Sequence, residues 1–134
     1  MTKDPVCTLP DASVLEVARL MKAQDIGPVP VVESQTDRRL VGIVTDRDLA
    51  LNVVAEGRDP KTTRVADVMT RDVVTCRESD NVNKALDAMS NKQLRRIPVV
   101  DPQDRIVGII AQADVATRVD EPKKTAEVVK DISK

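Results

Sequence analysis

The sequence contains no histidine and no phenylalanine, tyrosine or tryptophan. Without histidine, imidazole-bearing zinc sites and nucleophile–histidine relays are excluded. Without aromatic rings there is no stacking platform for single-stranded bases. The core must therefore be aliphatic, built from Val, Ile, Leu, Ala and Met. Cysteine is scarce, with Cys7 and Cys76 alone. Two thiols and no imidazole make a poor metal site, so no metal is expected. Both cysteines read first as buried packing residues and second as redox groups. An excess of either charge is also lacking: 21 Lys and Arg face 22 Asp and Glu. That balance supplies no concentrated basic face, and no nucleic-acid partner is expected. No apolar run approaches the roughly 20 residues of a membrane helix. Met1 is followed by Thr-Lys-Asp-Pro rather than an apolar leader. The expectation is a protein of the reducing cytoplasm with no membrane contact.

What is present is a 134-residue chain, 41% hydrophobic and 32% charged. That suits one compact domain or two small, mutually dependent halves. The chain is in fact written twice. Met1-Thr2-Lys3-Asp4-Pro5-Val6 reads like Met69-Thr70-Arg71-Asp72-Val73-Val74, and Pro30-Val31-Val32 like Pro98-Val99-Val100, at an offset of 68 residues. Gly42-Ile43 and Asp48 then match Gly108-Ile109 and Asp114 at an offset of 66. The polar loop Glu33–Arg39 is thus two residues longer than its counterpart, a change that a hairpin connection tolerates.

Each half reads as strand, helix, strand, strand, helix, a mixed α/β (α+β) pattern. Ser13 with Glu16 signals a helix start, and Val14, Val17, Ala18 and Met21 form its apolar stripe. Val29–Val32 and Leu40–Val44 are short β-branched runs joined by a polar loop, hence a hairpin. Thr45 to about Val54 is the closing helix. Val82–Lys92, Ile97–Val100, Ile106–Ile110 and Ala113–Val119 repeat the order. The expected segmentation is a first motif at 1–57, a linker at 58–64, a second motif at 65–120 and a charged, helical tail at 121–134. The tail reads either as a solvated helix or as one that packs on a partner or a second copy. Val65–Met69 leads into the second repeat, and with no counterpart before Met1 in the sequence read, the first motif is expected to lack a lead-in or to borrow one. A half of about 60 residues buries too little surface to stand alone, which predicts a pseudo-twofold pair.

Asp67-Val68-Met69-Thr70, Arg96-Ile97-Pro98-Val99-Val100-Asp101 and Gly42-Ile43-Val44-Thr45-Asp46-Arg47-Asp48-Leu49 carry a resemblance to CBS domains. The order, spacing and duplication of these segments make the chain similar to a stand-alone tandem CBS pair, or Bateman module, over about Met1 to Val119. The resemblance implies two β-α-β-β-α motifs packed as a pseudo-twofold pair and a regulatory role without catalysis. It further implies AMP, ADP or ATP as ligand, with no cofactor required, a homodimer, and an unknown effector protein as partner. S-adenosylmethionine is an alternative ligand, and ligand-independent dimerisation or docking is an alternative function.

Thr45-Asp46-Arg47-Asp48 runs from a strand into a helix start, where unpaired N–H groups and the dipole favour phosphate. Asp48 suits ribose hydroxyls, Thr45 phosphate or ribose, and Arg47 phosphate. The same Thr45 and Asp48 also fit a capping box, and both readings stay open. By resemblance the first cleft adds Thr70, Val74 and Leu94 around adenine. The second, weaker cleft takes Asp114, with Thr2, Val6, Ile26 and Gly27 opposite. There Ala111 and Ala113 replace Thr45 and Arg47, so Arg95 and Arg96 would supply the cations. For Val6, Val74, Ile26 and Leu94 plain core packing is the competing reading, and for Arg95 and Arg96 a solvated basic pair. No spacing suggests paired catalytic carboxylates or an activated nucleophile, so no enzyme is expected.

Overall fold

The structure, a computed structural model, describes residues 1–92 and 94–111. Its elements are β1 (Thr2–Lys3), α1 (Val14–Gln24), β2 (Pro28–Val32), β3 (Leu40–Thr45), α2 (Asp46–Leu49), α3 (Val65–Val68), β4 (Cys76–Arg77), α4 (Val82–Lys92), β5 (Arg96–Val100) and β6 (Ile106–Ala111). A π-helical turn, Ala50–Val54, follows α2. The architecture is mixed α/β, as expected. The Ala113–Val119 helix and the 121–134 tail lie outside the described residues.

Local chemistry accounts for the element boundaries. Ser13 Oγ accepts the Glu16 N–H at 3.1 Å and starts α1. Asp25, at φ 54°, ends it in the left-handed region and donates its N–H to the Met21 carbonyl. Val14, Val17 and Met21 are buried, so the expected stripe is the core face. The polar stretch before Val65 is bound to that same helix: the Val14 N–H donates to the Thr63 carbonyl (2.9 Å) and the Leu15 N–H to the Pro60 carbonyl (3.0 Å). Two helix-start donors are thereby satisfied from 50 residues away in sequence, roughly, which explains why Thr63 is buried.

The expected closing helix departs from α geometry after Leu49. The Ala55 N–H reaches the Ala50 carbonyl and the Arg58 N–H the Val53 carbonyl, both at 2.9 Å and both five residues back. Ala50-Leu51-Asn52-Val53-Val54 is nearly all apolar, so no polar stripe fixes a 3.6-residue period there.

The chain forms two compact units, Val6–Val73 and Met1–Pro5 with the chain from Val74 onward. In the first, β2 and β3 form an antiparallel hairpin that pairs Pro28 with Thr45 and Pro30 with Ile43, with a register shift at Val31/Val32. Thr8 bridges Val31 in parallel and Thr70 bridges Ile43 antiparallel. In the second, β5 and β6 pair Arg96 with Ala111 and Pro98 with Ile109, with the shift at Val99/Val100. Cys76 pairs with Val99 in parallel and Thr2 with Ile109 antiparallel, giving the sheet order β1-β6-β5-β4. These pairings are the same set one repeat apart. Each hairpin is therefore completed by the segment that opens the other repeat. The compact units are offset from the sequence repeats for this reason: Met1–Lys3 and Met69–Thr70 serve the hairpin of the other motif.

The unit Val6–Val73 is centred on Val14, Val17, Met21, Val29, Val31, Val44, Val53, Val65, Val68 and Met69. Burying each such side chain contributes about 1.5–3 kcal/mol. In the other unit Cys76, Met89, Ile97, Val99 and Ile110 form the corresponding cluster.

Candidate functional site

β3 ends at Thr45, and the next three residues turn at once into α2. Thr45 is extended (φ −119°, ψ 163°) and is the N-cap. The Asp48 N–H donates to Thr45 Oγ1 at 3.1 Å, and the Thr45 N–H donates to Asp48 Oδ2 at 2.9 Å. The capping box read from the sequence is thus complete. Both side chains remain half-exposed, and among the described residues Asp48 Oδ1 takes no hydrogen bond. One oxygen of the carboxylate is anchored and the other is open, which suits it to accept from a hydroxyl.

The other two donors of this turn are also used. The Asp46 N–H donates to the Gly27 carbonyl at 3.1 Å, and the Arg47 N–H donates to Asp46 Oδ1 at 2.9 Å. The expectation of unpaired N–H groups awaiting phosphate is therefore corrected. The N–H groups of Thr45, Asp46, Arg47 and Asp48 all have acceptors inside the chain, because Asp48, Asp46 and Thr45 side chains fold back on the turn and Gly27, just before β2, supplies a carbonyl. Asp46 and Arg47 are exposed.

Gly42 has a role in positioning Thr70. A Cβ at Gly42 would stand 2.8 Å from the Thr70 carbonyl oxygen and 2.9 Å from Met69 Sδ. The chain's own backbone, rather than a ligand, makes the close approach that glycine permits here. Reciprocal bonds between Ile43 and Thr70 (2.9 and 2.8 Å) hold that approach and fix Thr70 beside β3, exposed.

The site residues expected from the sequence thus divide by unit. Thr45, Arg47, Asp48 and Thr70 belong to Val6–Val73, with Thr45 and Asp48 hydrogen-bonded to each other. Val74 and Leu94 belong to the other unit and are half-buried. Leu94 packs on the Cys76 cluster and donates its N–H to the Met89 carbonyl, so a packing role is realised. Of the second set, Asp114 lies outside the described residues. Thr2 pairs in β1, and Arg95 and Arg96 are exposed where β5 begins. Val6 is exposed, and Ile26 packs against the core and bonds the Met21 carbonyl. Gly27, expected in the second set, meets Asp46 of the first: a Cβ there would lie 3.3 Å from its carboxylate oxygens.

Sequence reasoning missed Asp46, whose signal was an acid directly after an N-cap threonine. It also missed an open groove of about 460 Å³ lined by Cys7, Thr8, Leu9, Asp11, Ala12, Glu16, Leu20 and Gln35. Arg38 Nη2 donates to Cys7 Sγ at 3.0 Å, and Gln35 Nε2 to the Cys7 carbonyl at 3.2 Å. Burial pushes the Cys7 thiol up, and the Arg38 hydrogen bond and charge oppose the rise. Burial pushes Cys76 up to about 11, with Asp80 adding to the shift and Lys84 opposing it. Both cysteines are packing residues with a disfavoured thiolate. Among the described residues no group of three or more Cys, Asp or Glu could hold a metal, and no helix is long and apolar enough to cross a membrane.

The CBS-domain family profile matches residues 1–55 and 65–121. The chain belongs to the CBS-domain family. This tandem CBS chain is 39% identical over 116 residues to the CBS domain-containing protein YhcV of Bacillus subtilis, covering 87% of this chain and 79% of that one. It resembles the crystal structure of the CBS-domain containing protein ATU1752 from Agrobacterium tumefaciens with a TM-score of 0.73 and 32% identity, over 87% of this chain and 90% of that one. The CBS domain pair of protein MJ0100, solved in complex with 5′-methylthioadenosine and S-adenosyl-L-methionine, matches with a TM-score of 0.75 and 29% identity, over 92% and 94% of the two chains. The CBS pair described here is thus similar both to CBS-domain containing proteins and to a CBS domain pair solved with adenosyl ligands.

Proposed function

We propose that the chain is a non-catalytic regulatory module that binds an adenosine-containing ligand at Thr45–Asp48. The observation that carries this reading is Asp48: half-exposed, held by its Oδ2 on the Thr45 N–H, with Oδ1 open. A carboxylate so fixed receives a ribose hydroxyl without first having to be ordered. The adenosyl complexes of the MJ0100 pair support the ligand class. Thr70, in the same unit, joins the proposed set. The ligand is of the AMP, ADP or ATP kind, with S-adenosylmethionine as the alternative. Binding would bias a cytoplasmic homodimer that docks on an effector protein. Leu51 and Val54, 47% and 76% exposed, offer apolar surface for such contacts.

Two measurements test the reading. The chain has no Trp, Tyr or Phe, so an adenine absorption band in purified protein reports a bound ligand directly. Ligand at about 100 times its dissociation constant should add about 2.7 kcal/mol of stability. Asp48→Ala should remove most of that increment, whereas Asp48→Asn, which keeps an acceptor for the Thr45 N–H, should retain the cap. A variant that loses basal stability but keeps the full ligand increment would assign Asp48 to capping alone.

A further inference from the structure

We propose that the groove beside α1 docks an arginine- or lysine-bearing segment of a partner protein, with Asp11 and Glu16 receiving the cation. The groove, of about 460 Å³, is lined wholly by residues of the unit Val6–Val73. Its apolar part is Leu9, Ala12 and Leu20, each half-buried. Asp11 and Glu16 also line it, and both are exposed. Among the described residues neither carboxylate has a hydrogen bond or an ion pair. Arg38 is not part of the lining, and its Nη2 is engaged with Cys7 Sγ at 3.0 Å.

The other repeat supplies the chemistry of the occupant. At the offset of 68 residues, Leu9, Ala12 and Glu16 correspond to Arg77, Asp80 and Lys84. The structure keeps this correspondence. Thr8 bridges Val31 as Cys76 pairs with Val99, and Ser13 accepts the Glu16 N–H as Asn81 accepts the Lys84 N–H. In the second repeat this face carries two cations of its own. Arg77 Nη1 donates to the Asp101 carbonyl at 2.9 Å, and its Nη2 lies 3.6 Å from Asp104 Oδ1. Lys84 Nζ lies 3.3 Å from Asp80 Oδ1. The first repeat has leucine and glutamate in place of both cations, and alanine in place of the paired acid. It therefore presents acids without cations of its own, above an apolar floor. An arginine or lysine from another molecule matches both parts, with its aliphatic stem on the floor and its charged head at the rim. An exposed ion pair contributes only about 0.2–1 kcal/mol, so charge selects the occupant while the apolar floor adds affinity. This surface is independent of the adenosyl reading of Thr45–Asp48.

The test is fluorescence anisotropy of a labelled hexapeptide of arginine and leucine, titrated with the full chain at low salt. A hexapeptide of glutamate and leucine serves for comparison. The arginine peptide should saturate and weaken as salt is added, and the glutamate peptide should not bind. Glu16→Gln should weaken the arginine peptide about two- to five-fold, the loss of one exposed ion pair. Glu16→Lys, which installs the cation of the second repeat, should weaken it about ten-fold or more. Glu56→Lys makes the same change of charge at an exposed residue outside the groove lining, and should leave the affinity within about two-fold of the parent. Far-ultraviolet circular dichroism follows the fold of each variant, and Glu16→Gln decides the matter if Glu16→Lys does not fold. Equal losses in Glu16→Lys and Glu56→Lys, an unchanged affinity in Glu16→Gln, equal binding of the two peptides, or no saturation by the arginine peptide overturns the proposal.

Discussion

Gly42 and Gly108 occupy equivalent positions in the two repeats, yet alanine should be tolerated very differently at them. At Gly42 a methyl group would meet the Thr70 carbonyl oxygen at 2.8 Å. That oxygen accepts the Ile43 N–H, and the Thr70 N–H donates to the Ile43 carbonyl, so the backbone cannot retreat without breaking a bonded pair. Overpacking of this kind costs about 1–3 kcal/mol. The entropy gain from replacing glycine returns only about 0.4–1 kcal/mol. Gly42→Ala should therefore lose about 1–2 kcal/mol net. At about 4 °C per kcal/mol, that lowers the unfolding temperature by roughly 4–8 °C. At Gly108 the three atoms nearest such a methyl group all belong to the Met1 side chain, at 2.5–2.7 Å. A methionine side chain can change rotamer, so Gly108→Ala should stay within about 1 kcal/mol of the parent. Thermal unfolding followed by far-ultraviolet circular dichroism compares the two directly. Equal losses in both variants, or an unfolding temperature in Gly42→Ala at or above the parent's, would refute the argument. Because Gly42 positions Thr70, Gly42→Ala should also weaken any adenosyl ligand, and Gly108→Ala should not.

Two further outcomes follow from the packing. Cys76 ionises near pH 11 in the folded chain against an ordinary value of 9.0. The folded state therefore favours the neutral thiol, and that stability is complete below about pH 9 and is lost as pH rises toward 11. Urea midpoints should fall more steeply between about pH 9 and pH 11 in the parent than in Cys76→Ala, and parallel slopes would sink the assignment. Deleting Met1–Lys3 removes β1 from the edge of β6, so hydrogen exchange should accelerate at Val107–Ile110 and not along β2 or β3. Faster exchange confined to Val6–Val73 would contradict the strand pairing.

Much of the architecture was legible because repetition and period are local properties. The offsets of 68 and 66 residues align Pro30 with Pro98 and Gly42 with Gly108, and the structure gives both hairpins the same pairing and the same register shift. The stripe Val14, Val17 and Met21 identified a helix face, and Ser13 and Thr45 identified helix starts, because caps act within three residues. The departure from α geometry at Ala50–Val54 was hidden, since a uniformly apolar run carries no period. Only tertiary structure assigned Met1–Lys3 to the second hairpin and Thr70 to the first, because strand partners far apart in sequence leave no local mark. It also decided what the Thr45–Asp48 turn can do. Residue types announced both a cap and a binding loop. Hydrogen bonds to the Gly27 carbonyl, Asp46 Oδ1, Asp48 Oδ2 and Thr45 Oγ1 occupied the N–H groups of the turn and left one Asp48 oxygen open, which no spacing rule could have specified.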